Sequence, residues 1–424
     1  MKKNSAFLFL ALFSLGVIGC SSNAQEEASP QIQKSTAPIV LWGDAIDGPP
    51  PCVKGIHLTS WVTGSKKLRP RFERLLADTE INTVVIDVKE SDGEVYIPGV
   101  KLDGKENFVK AMPDIKEYLQ FLKERGIYCI ARIAVFHDNR VAKWKPEWAI
   151  KSSLPISKAV EKGYRKDIWV DRKGSAWADP YDKNVWNYNI AIAEKAVALG
   201  FQEIQFDYIR FPSDGPTKQC VYSKPHSKAN SIDALAQFLE ATHKRMKALN
   251  TPFSIDVFGL TGSYDDDMGI GQKMDRMISH VDIISPMMYP SHYYPGEFGL
   301  KDPNSSPYET IYRSIKDTKK VLKNSPVQLR PWLQDFSLGV KYTANHVRDQ
   351  IEASADQGVG EWLIWNPLCR YTKAAYLPSG NENSFGAEKP FSQYKMKPDP
   401  KEDSIPVDKK TDKKLDKKSE KKKN

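Results

Sequence analysis

Between residues 53 and 365 the sequence alternates eight short apolar, β-forming runs with seven segments of helical spacing. The runs at 53–58, 82–88, 127–133, 201–211, 253–258, 281–287, 327–333 and 359–365 read as strands. Residues 70–79, 114–125, 185–199, 232–249, 272–279, 307–322 and 343–357 carry apolar side chains at helical intervals, and Gly126, Gly200 and Gly358 each stop one of these segments. Strands separated by helices imply parallel pairing, because parallel neighbours need a crossover connection. Eight such units fit a closed α/β structure, a (β/α)8 TIM barrel, better than an open doubly wound sheet. No G-x-G-x-x-G or P-loop pattern follows the early strands, which argues against a nucleotide site.

The two ends of the chain lack this rhythm. Lys2-Lys3, an apolar run from Ala6 to Ile18, and Val17-Ile18-Gly19-Cys20 together read as a lipoprotein signal (1–20) with Cys20 as the lipidated residue. The run is shorter than the roughly 18 residues of a membrane span. Residues 21–38 read as a flexible tether, 39–378 as a single barrel domain, and 379–424 as a polar, disordered tail. An exported, membrane-anchored envelope protein is the expected context. The formal charge of +9 is concentrated in lysines such as Lys409, Lys413, Lys417 and Lys421, so the barrel is nearly balanced and not a nucleic-acid binder. Cys129 reads as a buried apolar residue, and whether Cys220 and Cys369 pair stays open.

Strand side chains alternate, so each strand sends every second residue into the barrel. Polar residues collect at the C-terminal strand ends: His57, Asp87, Glu90, Arg132, Asp207, Arg210, Asp256, Arg330, Gln334 and Asn366. A barrel of this kind places its chemistry at that rim. Aromatic residues accompany them, including Trp61, Tyr208, Tyr289, Trp332 and Trp365, with His292 in the same loops. Sugars offer C–H faces to aromatic rings and hydroxyl edges to polar groups, and paired carboxylates hydrolyse glycosidic bonds. Asp207 and Asp256, on adjacent strands, are the expected catalytic pair, with Asp87 as a third candidate; the others are expected to contact substrate. Competing structural roles are an Arg210–Asp207 bridge, an Asp256 turn cap and an Asp87 contact to Lys89 or Arg132. Only seven histidines occur, none at metal-ligand spacing, so neither metal nor cofactor is expected.

The stretches Phe206-Asp207-Tyr208-Ile209-Arg210-Phe211-Pro212, Asp256-Val257-Phe258-Gly259, Ser285-Pro286-Met287-Met288-Tyr289-Pro290-Ser291-His292-Tyr293 and Arg330-Pro331-Trp332-Leu333-Gln334-Asp335-Phe336 resemble a bacterial family of glycoside-hydrolase-like TIM barrels. The resemblance runs from about Val53 to Asn366 and implies a polysaccharide or oligosaccharide substrate. The residues and the resemblance lead to a retaining glycoside hydrolase on an envelope or extracellular polysaccharide. The alternative is a non-catalytic, lipid-anchored polysaccharide-binding or scaffold protein. A metal-dependent hydrolase ranks third.

Overall fold

The computed structural model describes residues 45–380. Cys20, the tether and all but the first two residues of the Lys-rich tail lie outside them. Eight parallel strands form the barrel: β1 (Lys54–Leu58), β2 (Thr83–Lys89), β3 (Tyr128–Ala134), β4 (Glu203–Asp207), β5 (Phe253–Phe258), β6 (Ile283–Met287), β7 (Gln328–Leu329 and Trp332–Gln334) and β8 (Trp362–Trp365). Each pairs with the next, and β8 closes onto β1 with Lys54 opposite Trp362. Closure leaves no open sheet edge. This is a (β/α)8 TIM barrel, as the alternation requires.

The helices between strands include α1 (Arg69–Asp78), α2 (Ile115–Lys123), α3 (Lys183–Leu199), α4 (Lys228–Ala248), α5 (Met274–Met277), α6 (Pro307–Leu322) and α7 (Ala344–Asp356). Local chemistry sets several of their ends. The Asp182 side chain accepts from the Asn184 backbone N–H to start α3, and Gly200, at φ 111°, ends it. Thr343 and His346 form a reciprocal cap at the start of α7. Outward-facing strand residues pack on these helices. Phe206 of β4, for example, stacks on Phe238 of α4 with ring centroids 5.7 Å apart, and burial of such a ring contributes about 1.5–3 kcal/mol.

Three departures from simple alternation decide where the functional side chains point. First, the expected strand over 201–211 stops at Asp207, because Tyr208 adopts a left-handed backbone conformation (φ 53°) that turns the chain out of the sheet. Second, β2 bulges between Asp87 and Lys89. The extra residue moves Lys89 off the Asp87 face, and its Nζ instead reaches Asp138 Oδ2 at 2.7 Å and Asn189 Oδ1 of α3 at 3.0 Å. Third, Pro331 offers no N–H and interrupts β7.

Side chains fill the barrel in layers. Near the strand starts, the Arg330 guanidinium lies 2.8 and 3.0 Å from the two Glu203 oxygens and donates from Nε to Glu361 at 2.9 Å. Ser254 and Tyr128 complete the Glu203 shell at 2.6 and 3.1 Å. Above them Gln205 donates to Ser285 Oγ at 3.3 Å. The next layer up carries Asp87, Arg132, Asp207 and Asp256.

Candidate active site

Arg132, the inward residue near the end of β3, is the centre of this upper layer. Its Nη1 donates to Asp87 Oδ1 at 2.6 Å, its Nη2 donates to Asp207 Oδ2, and its Nε lies 3.6 Å from Asp256 Oδ2. One planar cation therefore serves three carboxylates from β2, β4 and β5, a use of the guanidinium fork that lysine does not match. The ladder between β4 and β5 sets Gln205 against Ser254 and Phe206 against Ile255. One residue further along, Asp207 ends β4 and Asp256 follows Ile255 on β5, and both meet Arg132; neighbouring strands lie about 4.8 Å apart.

The three carboxylates differ in what holds them. Asp87 accepts from His57 Nε2 at 2.7 Å on one oxygen and from Arg132 on the other. Burial alone would raise the Asp87 pKa, but the His57 and Arg132 charges outweigh it and hold the group below its ordinary value. Asp207 receives Arg132 on Oδ2 and its neighbour's backbone N–H, from Tyr208, on Oδ1 at 2.5 Å. Asp256 accepts from Trp332 Nε1 at 2.7 Å. Burial and the nearby Asp207 charge push Asp256 well above the ordinary carboxylate range, opposed by Arg132 and the indole N–H. Asp87 and Asp256, both against Arg132, are thus pushed in opposite directions, the kind of split that acid–base chemistry uses.

Aromatic rings wall the charged layer. His57 stacks on Trp365 with centroids 4.0 Å apart, and Trp365 lies under the Arg132 guanidinium at 5.0 Å. Burial opposes a charge on His57, but Asp87 dominates and raises its pKa to about 9. Tyr289 is buried close to Asp256 and Asp207, whose charges add to burial in holding its hydroxyl protonated. Glu90, just beyond β2, is partly exposed; burial, then Asp87 and Asp92, raise it to about 7. Trp61 is 58% exposed and meets the edge of Tyr96, 6.4 Å away. It presents an open ring surface.

Several expected contact residues hold other positions. Arg330 does not reach the rim, because its hydrogen bond to Ile284 O places it low in β7, among Glu203 and Glu361. Gln334 fastens the loops after β6 and β7, accepting from Ser291 N–H and Oγ and donating to Phe336 O. Asn366 donates to the Asp335 and Arg370 carbonyls and caps a turn. His292 bonds Ser291 Oγ at 3.0 Å and lies against Tyr289, and burial lowers its pKa to about 4. Arg210 forms no bridge with Asp207. It lies over the rings of Trp177, Phe258 and Tyr208, at 4.7, 4.9 and 5.3 Å.

Sequence reading did not single out Trp177 and His137 as site residues. They come from the long connection between β3 and α3, bridge each other, and pack on Tyr208. A two-residue sheet, Lys151–Ser152 with Cys220–Val221, ties that connection to the one after β4. Residue type alone could flag these rings, but only tertiary pairing puts them over the site. Cys52, Cys129, Cys220 and Cys369 are free thiols. Among the described residues, no group of three His, Cys, Asp or Glu side chains is arranged to hold a metal ion, and no helix is long and apolar enough to cross a membrane.

Residues 55–371 match the family model described as "Putative glycosyl hydrolase domain". The chain belongs to this family. The match spans every strand of the barrel except the first residue of β1, and so contains the whole carboxylate layer. No curated protein matches. Among solved structures, the glycoside hydrolase domain of PgaB (BpsB) from Bordetella bronchiseptica aligns over 80% of this chain and 100% of its own, at 12% identity and a TM-score of 0.54. That likeness supports the barrel fold. A hypothetical protein from Ruminiclostridium thermocellum is 31% identical over 48% of this chain and 97% of its own, with a TM-score of 0.39. The alpha-galactosidase TtGalA from Thermus thermophilus covers 80% of this chain and 62% of its own, at 13% identity and a TM-score of 0.46.

Proposed function

We propose that the domain is a retaining glycoside hydrolase, with Asp207 as nucleophile and Asp256 as general acid and base. What supports this reading is that Asp207, which ends β4, and Asp256, on the neighbouring β5, both lie against Arg132. A retaining pair needs about 5 Å between carboxyl groups. Asp207, with the closer guanidinium contact and a backbone donor, is the anion that attacks the anomeric carbon. Asp256 keeps its proton and delivers it to the departing glycosidic oxygen as the bond breaks. Water then attacks the glycosyl–Asp207 ester, Asp256 takes the water's proton, and Asp207 is released. Asp87, with both oxygens occupied, is a positioning residue that holds Arg132.

The proposed substrate is a polysaccharide of the cell envelope or its surroundings. The lipobox at Cys20 supports this location, since a lipid-tethered domain would meet such polymers first. The deciding experiment incubates the domain and its D207N variant with an array of envelope polysaccharides and measures new reducing ends. Cleavage by the native protein, lost in a folded D207N, is expected. Sugar binding without new ends from either protein would instead establish the binding or scaffold alternative. Cleavage surviving in D207N would overturn the nucleophile assignment.

A further inference from the structure

Three arginines, Arg132, Arg210 and Arg330, are expected from the sequence to contact substrate, and their surroundings separate them. Arg132 is shared by three aspartates and Arg330 is held by two glutamates, so each positive charge is already answered inside the protein. Arg210 is different. It is 7% exposed, and among the described residues no carboxylate lies within ion-pair distance. Its Nη1 donates to Phe211 O at 3.2 Å and Ser213 Oγ at 3.3 Å, while Nε and Nη2 have no acceptor among the described residues. Those two donors are reached by solvent rather than sealed in the interior.

A buried, uncompensated guanidinium is costly, and the cost shows in its acidity. Burial lowers the Arg210 pKa, despite the Tyr208 hydroxyl and the more distant Asp207, Asp214 and Asp171. Neither nearby loop carboxylate is free to balance it. Asp171 is engaged by His137 at 3.3 Å and by the Lys173 and Ser175 backbone N–H groups, and burial biases Asp214 toward its neutral form. The rings of Trp177, Tyr208 and Phe258 fix the plane of the guanidinium. That leaves the Nε–Nη2 edge presented as a fork, the geometry that takes a carboxylate with two parallel hydrogen bonds.

We propose that Arg210 binds the carboxylate of an acidic sugar, so that the substrate is a uronic-acid-containing polysaccharide. The inference rests on the glycosidase reading and names its substrate class. Arg210 follows the proposed nucleophile by three residues, and the left-handed turn at Tyr208 brings it back over the Tyr208 ring.

The test measures binding to the full chain by titration calorimetry, with glucuronate, galacturonate and mannuronate each compared with glucose, galactose and mannose. At least one acid is expected to bind about tenfold or more tightly than its neutral parent, the size of effect that charge-assisted bonds supply. R210M, which keeps the packing against the rings, should abolish that preference, and R210K should restore only part of it, since lysine lacks the fork. Urea unfolding of each variant establishes that the barrel is intact. No acid preference in any pair, including no binding at all, overturns the proposal. So does a preference that survives in R210M. D207N separates the two readings: it should keep the acid preference while losing hydrolysis. No hydrolysis by the native protein would sink the glycosidase reading, and hydrolysis by D207N would sink its nucleophile assignment; either leaves the Arg210 result standing.

Discussion

Removing Arg132 is the most informative single perturbation of this barrel. R132M would take away the one cation that contacts Asp87, Asp207 and Asp256, while filling much of the same volume. Deleting one partner of a buried ion pair costs about 3–5 kcal/mol, because the remaining charge is left desolvated. His57 still answers Asp87, so the orphaned charge falls mainly on Asp207. The expected loss of stability at pH 7 is therefore about 3–5 kcal/mol, read as a lower urea midpoint with an unchanged slope. Adding D207N removes the orphan. The double variant should be more stable than the sum of the single effects by about 1–3 kcal/mol, the usual coupling between contacting groups. The pH dependence has a defined sign. Asp87 is held below its ordinary value, so its contribution is present above about pH 4 and is lost as pH falls through the lower folded value. The gap between native and R132M should narrow in acid. Additive effects of R132M and D207N, or an R132M midpoint equal to the native one, would refute the account of Arg132 as the shared counter-ion.

Further outcomes follow from the same electrostatics and packing. His57 is raised to about 9 by Asp87, so its stabilising charge is fully present below about pH 6.5 and is lost as pH rises through 9; a urea midpoint measured from pH 6 to 10 should fall in the native protein and flatten in H57Q. Glu90 is raised to about 7, so the folded state prefers its protonated form and loses that advantage as pH climbs through 7. E90Q should gain on the native protein by roughly 1–2 kcal/mol between pH 4.5 and 8, a figure reduced for the partial exposure of the group; a constant difference across that range would be the contrary result. At Gly259 a Cβ would lie 2.5 Å from Met287 O and 2.8 Å from the Tyr293 hydroxyl, where β5 and β6 end side by side. G259A should cost about 1–3 kcal/mol in thermal or urea unfolding.

The barrel was legible in the sequence because its two periods are strong signals: eight apolar runs, each set apart by an amphipathic helix. The rim was legible for a related reason. A charge near the end of a buried strand has no packing rationale, and Asp87, Arg132, Asp207 and Asp256 do converge. What failed was height and direction. Arg330 looked like a rim residue because the run 327–333 has no internal mark of where pairing begins. The bond from its N–H to Ile284 O sets it low in the barrel, level with Glu203. Lys89 looked like a partner of Asp87 because strict alternation puts residues two apart on one face; a bulge of one residue reverses that. Arg210 looked like a rim residue within bridging reach of Asp207, and a single left-handed residue, Tyr208, turns the chain so that it lies over aromatic rings instead. The last two errors each came from one backbone irregularity, and pattern counting does not register an irregularity of one residue.

In the proposed mechanism, hydrogen-bond donors rather than depth distinguish Asp207 from Asp256. Both carboxyl groups are buried, and burial with the neighbouring Asp207 charge pushes Asp256 well above the ordinary carboxylate range. Asp207 has a direct guanidinium contact and a backbone N–H, whereas Asp256 has a guanidinium nitrogen at 3.6 Å and the Trp332 indole. The indole N–H favours the Asp256 anion, working against burial and the Asp207 charge. Replacing Trp332 with Phe keeps a ring at that position and removes only the donor. Asp256 should then hold its proton more tightly. A hydrogen bond to a charged group contributes about 1.5–3 kcal/mol, equivalent to about 1–2 pH units. If Asp256 is the general acid, hydrolysis fails as pH rises through its pKa, so W332F should move the alkaline limb of the kcat/KM profile upward by about that amount. A limb that stays in place, or moves down, would mean that the titrating acid is not Asp256. Glu90, raised to about 7 and more open to solvent, would then be the carboxyl group to replace next.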